Sequence, residues 1–144
     1  MRLDITRKSD LAIRAIRVLA EEGSVWKGLD LSSAVGTTPA FLNQVLAPLV
    51  RAGWIQSAVG PTGGYRYTGT IAPSLLAVIE AVEGPTLSGT CVLERGTPCF
   101  SVRGGDPCAL HDAWTRAAEA LLAVLDATSV LEGTGQGTRA TAAV

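Results

Sequence analysis

Between Cys91 and Trp114 the stretch "CVLERGTPCFSVRGGDPCALHDAW" gathers all three cysteines and the one histidine of a 144-residue chain. Seven residues separate Cys91 from Cys99, eight separate Cys99 from Cys108, and two separate Cys108 from His111. Structural zinc sites are usually built on a close C-x2-4-C chelate, and none occurs here. Three thiolates and one nitrogen or oxygen donor instead suit an iron-sulfur cluster, whose larger span tolerates widely spaced ligands. Cys108 and His111, three apart in a first helical turn, project to one side. The positive end of that helix also favours a thiolate at Cys108. A free cysteine is often no more than a small buried hydrophobe. That account weakens for the three together, because Cys91 and Cys99 lie among glycine and proline with little core to be buried in.

The elements that position this stretch follow from apolar spacing. From Thr6 to Glu22, Leu11, Ala15, Val18 and Leu19 recur at helical intervals and Gly23 follows, predicting a first helix that ends there. A short second helix is expected near Leu29 to Val35. Gly36 permits a sharp turn, Thr38 is a suitable N-cap, and Pro39 suits the first position of a third helix, where its missing N–H costs nothing. Leu42, Val45, Leu46 and Leu49 form that helix's apolar stripe, leaving Ala40, Asn43, Gln44 and Ala47 on or near the other face. Helix, glycine-bearing turn and helix make the helix-turn-helix pattern. Pro48, which removes a hydrogen bond to Gln44, predicts a kink or an early end.

After Gly53, strand-like residues flank "GPTGG", which predicts a hairpin with a glycine-rich tip, a wing. A fourth helix is expected over Pro73 to Val82, packed through Leu75, Leu76, Ile79 and Val82 and closed at Gly84. From Pro85 to Asp106 there is little periodicity, so a loop is expected whose order depends on something other than a core. Asp106 can cap a last helix with Pro107 at its first position. Leu110, Trp114, Ala117, Leu121, Val124 and Thr128 then follow a near-heptad seam that wants a partner. Beyond Glu132, "GTGQGTRATAAV" is too poor in hydrophobic residues to order itself.

With 47% hydrophobic and 17% charged residues, the chain has the size and apolar content of one globular domain. It contains no apolar run long enough for a membrane span and no signal-like N-terminus, so a cytoplasmic protein without membrane partners is expected. In that reducing compartment an odd number of cysteines favours metal or redox chemistry over a disulfide framework. The net charge of −1 is unevenly spread. Residues 1–70 carry eight basic and five acidic side chains, +3, and residues 71–144 carry four and eight, −4. A basic half can meet phosphate while the acidic half does something else.

The order of parts resembles the IscR and NsrR type of winged-helix transcription regulators, the Rrf-two family. The likeness runs from Met1 to about Leu131 through "MRLDITRKSDLAIRAIRVLA", "TTPAFLNQVLAPLVRAGWIQSAVGPTGGYRY", "LLAVIEAVEGP" and the three cysteines. The wing "VGPTGGYR" followed by "AVIEAVEGP" is its most specific mark. The resemblance implies a homodimer, crossed through the C-terminal helix, that binds palindromic double-stranded DNA, acts as a repressor and holds an iron-sulfur cluster through Cys91, Cys99 and Cys108. The segment "CALHDAW" looks like the IscR version, where histidine completes a 2Fe-2S site, which points to His111. Asp10 matches the place where NsrR-type members supply a carboxylate from the partner subunit to a 4Fe-4S cluster. His111 is the preferred fourth ligand, because an Asp near a helix start more often serves as a cap. The cysteine gaps are longer than in these relatives, so the cluster type stays open.

The DNA end departs from the family. Asn43 stands where IscR-like members have glutamate, and Val59 where an arginine is common before the wing glycine, so the operator does not carry over. By chemistry, Asn43 or Gln44 can read adenine with paired donor and acceptor, and Thr37 and Thr38 can hold phosphate at the helix start. Arg51, Arg66, Arg7 and Lys8 are candidates for backbone phosphates.

The expected fold is mainly α with a small β-hairpin wing: a winged helix-turn-helix region over residues 1–84, a cysteine-bearing cluster loop over 85–107, a dimerisation helix over 108–132 and a flexible tail over 133–144. Its function would be to sense redox stress, nitric oxide or iron-sulfur status and change transcription. The alternatives are a cluster-free thiol/disulfide regulator of the same fold and a zinc-stabilised interaction domain. An enzyme using Cys108 and His111 ranks below these, since no orienting group or pocket accompanies the pair.

Overall fold

The computed structural model describes residues 5–86 and 109–133. Cys91, Cys99 and Cys108, the 85–107 segment beyond Thr86, the Asp106–Pro107 cap and the tail beyond Gly133 lie outside the described residues.

Helix α1 (Arg7–Glu22) is central: it packs against α2 (Gly28–Val35), α3 (Pro39–Arg51), α4 (Leu75–Glu83) and the second strand of the wing. Its buried positions, Leu11, Ala12, Ala15, Ile16, Leu19 and Ala20, form a stripe wide enough to meet neighbours on several sides. Thr6 rather than Asp10 caps α1, its hydroxyl oxygen accepting the Ser9 N–H at 3.2 Å. At the other end Gly23, left-handed at φ 61°, donates to the Leu19 carbonyl.

The helix-turn-helix forms as its glycine, threonine and proline dictate. Gly36 takes the left-handed conformation (φ 76°), and the Thr38 hydroxyl accepts the Phe41 N–H at 3.3 Å. Pro48 does not end α3, which continues to Arg51. The proline lies in the last turn, so it removes a single bond near a terminus, and Ala52 N–H closes that terminus on the Pro48 carbonyl at 2.9 Å. An interior proline costs about 3 kcal/mol. Pro48, Leu46 and Leu49 are all buried here, and each fully buried leucine returns about 1.5–3 kcal/mol.

The wing pairs β1 (Ile55–Ala58) antiparallel with β2 (Gly64–Tyr67), with Gln56 opposite Arg66 and Ser57 opposite Tyr65. Trp26, between α1 and α2, adds a one-residue third strand: its N–H donates to the Tyr65 carbonyl and its carbonyl accepts the Tyr65 N–H, both at 2.8 Å. This close approach needs glycine at residue 64, where a Cβ would stand 2.3 Å from the Trp26 carbonyl oxygen. The hairpin itself needs glycine at residue 63, where a Cβ would stand 2.1 Å from the Ala58 carbonyl oxygen.

Helix α4 begins two residues later than expected, because Ser74, not a residue before Pro73, caps it by accepting the Ala77 N–H at 3.1 Å. Its core stripe also differs: Val78 and Val82 are buried and Leu75 and Ala81 pack beside them, while Leu76 and Ile79 stay half-exposed.

Helix α5 spans Ala109–Ala127 and stops short of the expected residue 132. After it the chain turns back into the body of the fold. Leu75 donates to the Thr128 carbonyl at 2.8 Å and Val130 to the Pro73 carbonyl at 2.9 Å. The Val130 side chain is buried in the same core as α1, α3 and α4, and Arg17 of α1 donates to the Glu132 carbonyl. A buried valine outweighs one more turn of solvated helix.

Gly64→Ala is expected to lower unfolding stability by more than about 1 kcal/mol, read as a lower midpoint in urea, because the new Cβ and the φ of 153° both oppose the Trp26–Tyr65 bridge.

Candidate nucleic-acid interface

Thr38 fixes where α3 starts, and the buried stripe Leu42, Val45, Leu46 and Leu49 fixes its rotation. Asn43 and Gln44 are therefore exposed on the outward face. Thr37 and Thr38 precede them at the positive end of the helix. Thr37 is half-buried and its N–H returns to the Ser32 carbonyl at 2.9 Å. The Thr38 oxygen accepts within the cap while its O–H keeps a proton to donate.

Arg7 joins this group. Its guanidinium donates to the Gly36 carbonyl at 3.3 Å, in the turn of the helix-turn-helix. Thr37, Thr38, Asn43, Gln44 and Arg7 are thus brought to the α3 N-terminal side. Arg51 is exposed at the far end of α3, about 20 Å away at 1.5 Å per residue.

Lys8 and Arg66 are placed differently. The Lys8 ammonium is tied to the Val82 carbonyl at the C-terminal end of α4. Arg66 points to the wing face opposite Tyr65, as strand alternation requires, and its Nε donates to Gln56 Oε1 at 2.8 Å.

Tyr65 was legible in the sequence only as a strand residue. Its hydroxyl donates to Asn43 Oδ1 at 2.9 Å, joining wing to recognition helix. The bond occupies part of the Asn43 acceptor and leaves its amide N–H2 without a partner among the described residues. Gln44, on the same face, has no such tie among the described residues, so it is the freer of the two to offer adenine both a donor and an acceptor. Period-two alternation in "GYRY" would have placed Tyr65 opposite Arg66; which helix residue it meets needed the docked wing. Tyr67, on the Tyr65 side, donates to the Ile71 carbonyl at 3.2 Å, and partial burial pushes its hydroxyl pKa up.

Of the candidate metal ligands, His111 and Asp10 are described. His111 is half-buried in the first turns of α5, in line with the half-buried Thr115, Ala118 and Leu122. It is therefore not on the solvent-exposed stripe of Leu110, Trp114, Leu121 and Val124. Asp10 pairs with Arg14 one turn on, Nε to Oδ1 and Nη2 to Oδ2 both at 3.0 Å. An exposed pair of this kind is worth only about 0.3–0.5 kcal/mol, so a metal bond could displace it. Among the described residues no three His, Cys, Asp or Glu side chains cluster as a metal site.

A helix-turn-helix whose second helix is exposed along one face, flanked by a docked two-stranded wing, defines a winged-helix DNA-binding protein. Residues 5–132 match the sequence profile of Rrf2, described as an iron-dependent transcriptional regulator, and the chain belongs to that family. It is 29% identical to the HTH-type transcriptional regulator IscR of Aliivibrio salmonicida over 90% of this chain and 76% of the relative. Among solved structures it is similar to CymR, the global cysteine regulator of B. subtilis, with TM-score 0.71 and 24% identity over 90% of this chain and 94% of that one. It is also similar to T. potens IscR, with TM-score 0.66 and 20% identity over 99% and 93%. The family is one of DNA-binding regulators of transcription, not of enzymes. No helix among the described residues is long and apolar enough to cross a membrane.

Tyr65→Phe is expected to cost about 0.5–1.5 kcal/mol of DNA affinity through removal of the Asn43 bond. The effect should concentrate at one base position when Kd values are compared across single-base variants of a bound duplex.

Proposed function

We propose that the chain is a homodimeric repressor of a palindromic operator, governed by an iron-sulfur cluster held through Cys91, Cys99, Cys108 and His111, with Asp10 of the partner subunit as the alternative fourth ligand. The donor set fits such a group: three thiolates with one imidazole or carboxylate are the ligands it takes. When bound it supplies iron and sulfide that react with oxidants or nitric oxide. Relatives named IscR and the iron-dependent description of the family support the reading.

The observation that carries the coupling is the surroundings of the first turn of α1. Lys8 bonds the Val82 carbonyl, and the Thr6 and Ser9 hydroxyls both donate to the Glu83 carboxylate, at the foot of α4 just before the cysteine-bearing segment begins. From the same turn Arg7 bonds Gly36 in the helix-turn-helix. A pull on the segment after Gly84 is thereby passed through Glu83 to α1 and on to α3. Three residues after Cys108 in the sequence, His111 stands in α5, whose far end runs into the stretch bonded to Pro73 and Leu75. The apolar stripe of α5, with Leu110 52% and Val124 64% exposed, supports pairing through that helix. Two half-sites must sit about one DNA turn apart, so a small change in pairing geometry weakens operator binding.

A second reading is a thiol switch without a cluster, in which the same cysteines are oxidised; S. aureus CymR, which shares the fold, has been solved in an oxidized form. Purification without air separates the two readings. The cluster reading expects a coloured protein with iron and sulfide in near-equal amounts per chain, abolished in Cys91→Ser, Cys99→Ser and Cys108→Ser; a colourless, iron-free chain after reconstitution rejects it.

His111→Ala is expected to release iron faster than Asp10→Ala under a chelator; the reverse order would assign the fourth ligand to Asp10. Glu83→Ala is expected to narrow the difference in DNA Kd between iron-loaded and iron-free protein, a coupling of about 1–3 kcal/mol in such systems, with little change in iron content.

A further inference from the structure

The tip of the wing, Val59 to Gly63, has no ionisable side chain. It projects fully, since Val59 is completely exposed. A cation nevertheless stands there. Lys27, exposed and immediately before α2, reaches across to the tip, where its ammonium donates to the Pro61 carbonyl.

Lys27 is poorly suited to its own position. It is the N-cap of α2 yet makes no side-chain capping bond, and short polar side chains are preferred there. A cationic residue is also disfavoured at the positive end of a helix. A residue that breaks both local rules is more economically explained by what its far end does. Trp26, its chain neighbour, is locked to Tyr65 by two backbone hydrogen bonds, so the start of the lysine side chain is fixed beside the wing. One of the three ammonium N–H groups goes to Pro61; the others remain for an anion.

We infer that Lys27 is a DNA-contacting residue: it supplies the wing tip with the positive charge its own sequence lacks and binds a backbone phosphate of the duplex. The inference rests on the reading that α3 and the wing face DNA. The contact is to phosphate, so it strengthens binding without choosing a base.

The test uses the full chain and a duplex that it enriches from a random-sequence library, with Kd measured by fluorescence anisotropy across a sodium chloride series. Lys27→Met should make the slope of log K against log salt shallower by about 0.9 for each phosphate that is no longer neutralised, while thermal unfolding stays at the parent's temperature and Lys27→Arg keeps the parent's slope. In Lys27→Met combined with Val59→Arg, a charge restored at the tip from the other strand end should recover the slope. A parental slope in Lys27→Met overturns the inference. So does a shallower slope that Val59→Arg fails to recover, because the lysine would then only brace the hairpin. If the parent chain binds no duplex at any salt, the α3-and-wing reading itself fails, and the inference with it.

Discussion

The reciprocal pair of backbone hydrogen bonds between Trp26 and Tyr65 holds the wing against the helical body. A hairpin of four-residue strands is marginal by itself, and this one gains its place by docking a third strand of a single residue. The approach is so close that only glycine fits at residue 64, while the hairpin's own backbone at Ala58 requires glycine at residue 63. Docking then sets two longer reaches: Tyr65 to Asn43 on the recognition helix, and Lys27 to Pro61 at the tip. Helix α3 and the hairpin are therefore one unit joined by side chains, and its geometry depends on two backbone bonds.

The first turn of α1 plays the corresponding part on the other side. Four consecutive residues, Thr6 to Ser9, divide their polar groups between the turn at Gly36 and the end of α4 at Val82 and Glu83. Because α1 is also the most buried helix, movement at either contact is transmitted through a packed core that has little room to absorb it. The C-terminal return works in the same sense. Val130 in the core and the Ser74–Ser129 bridge fasten one end of α5, so α5 is held at the end opposite His111.

Local signals accounted for much of this. Thr38, Pro39 and Gly36 defined the helix-turn-helix from sequence because caps and turns depend on neighbours within four residues. Gly23 and Gly84 ended their helices for the same reason. Pro48 misled, since its local cost was set against burial that only the packed core supplies. The α5 boundary misled as well: nothing between Thr128 and Glu132 forbids a helix, and only the pairing with Pro73 and Leu75 ends it. The cysteines and histidine were conspicuous as a donor set from their types alone. Lys8 and Arg66 stand out in the sequence only by their charge, and the fold gives them carbonyl and amide partners.

By itself, then, the chain's order of residues determined its class: the helix starts and stops, the wing hairpin, the face of α3 that stays polar, and the grouping of soft ligands between α4 and α5. These depend on spacing and on the backbone preferences of glycine, proline and threonine, which act over a few residues. Tertiary structure alone decided which polar side chains meet. Tyr65 with Asn43, Lys27 with Pro61, and Thr6 and Ser9 with Glu83 are 22, 34 and more than 70 residues apart. Contacts at such separations arise only when the buried stripes of several helices fix their mutual rotation, which no local pattern encodes.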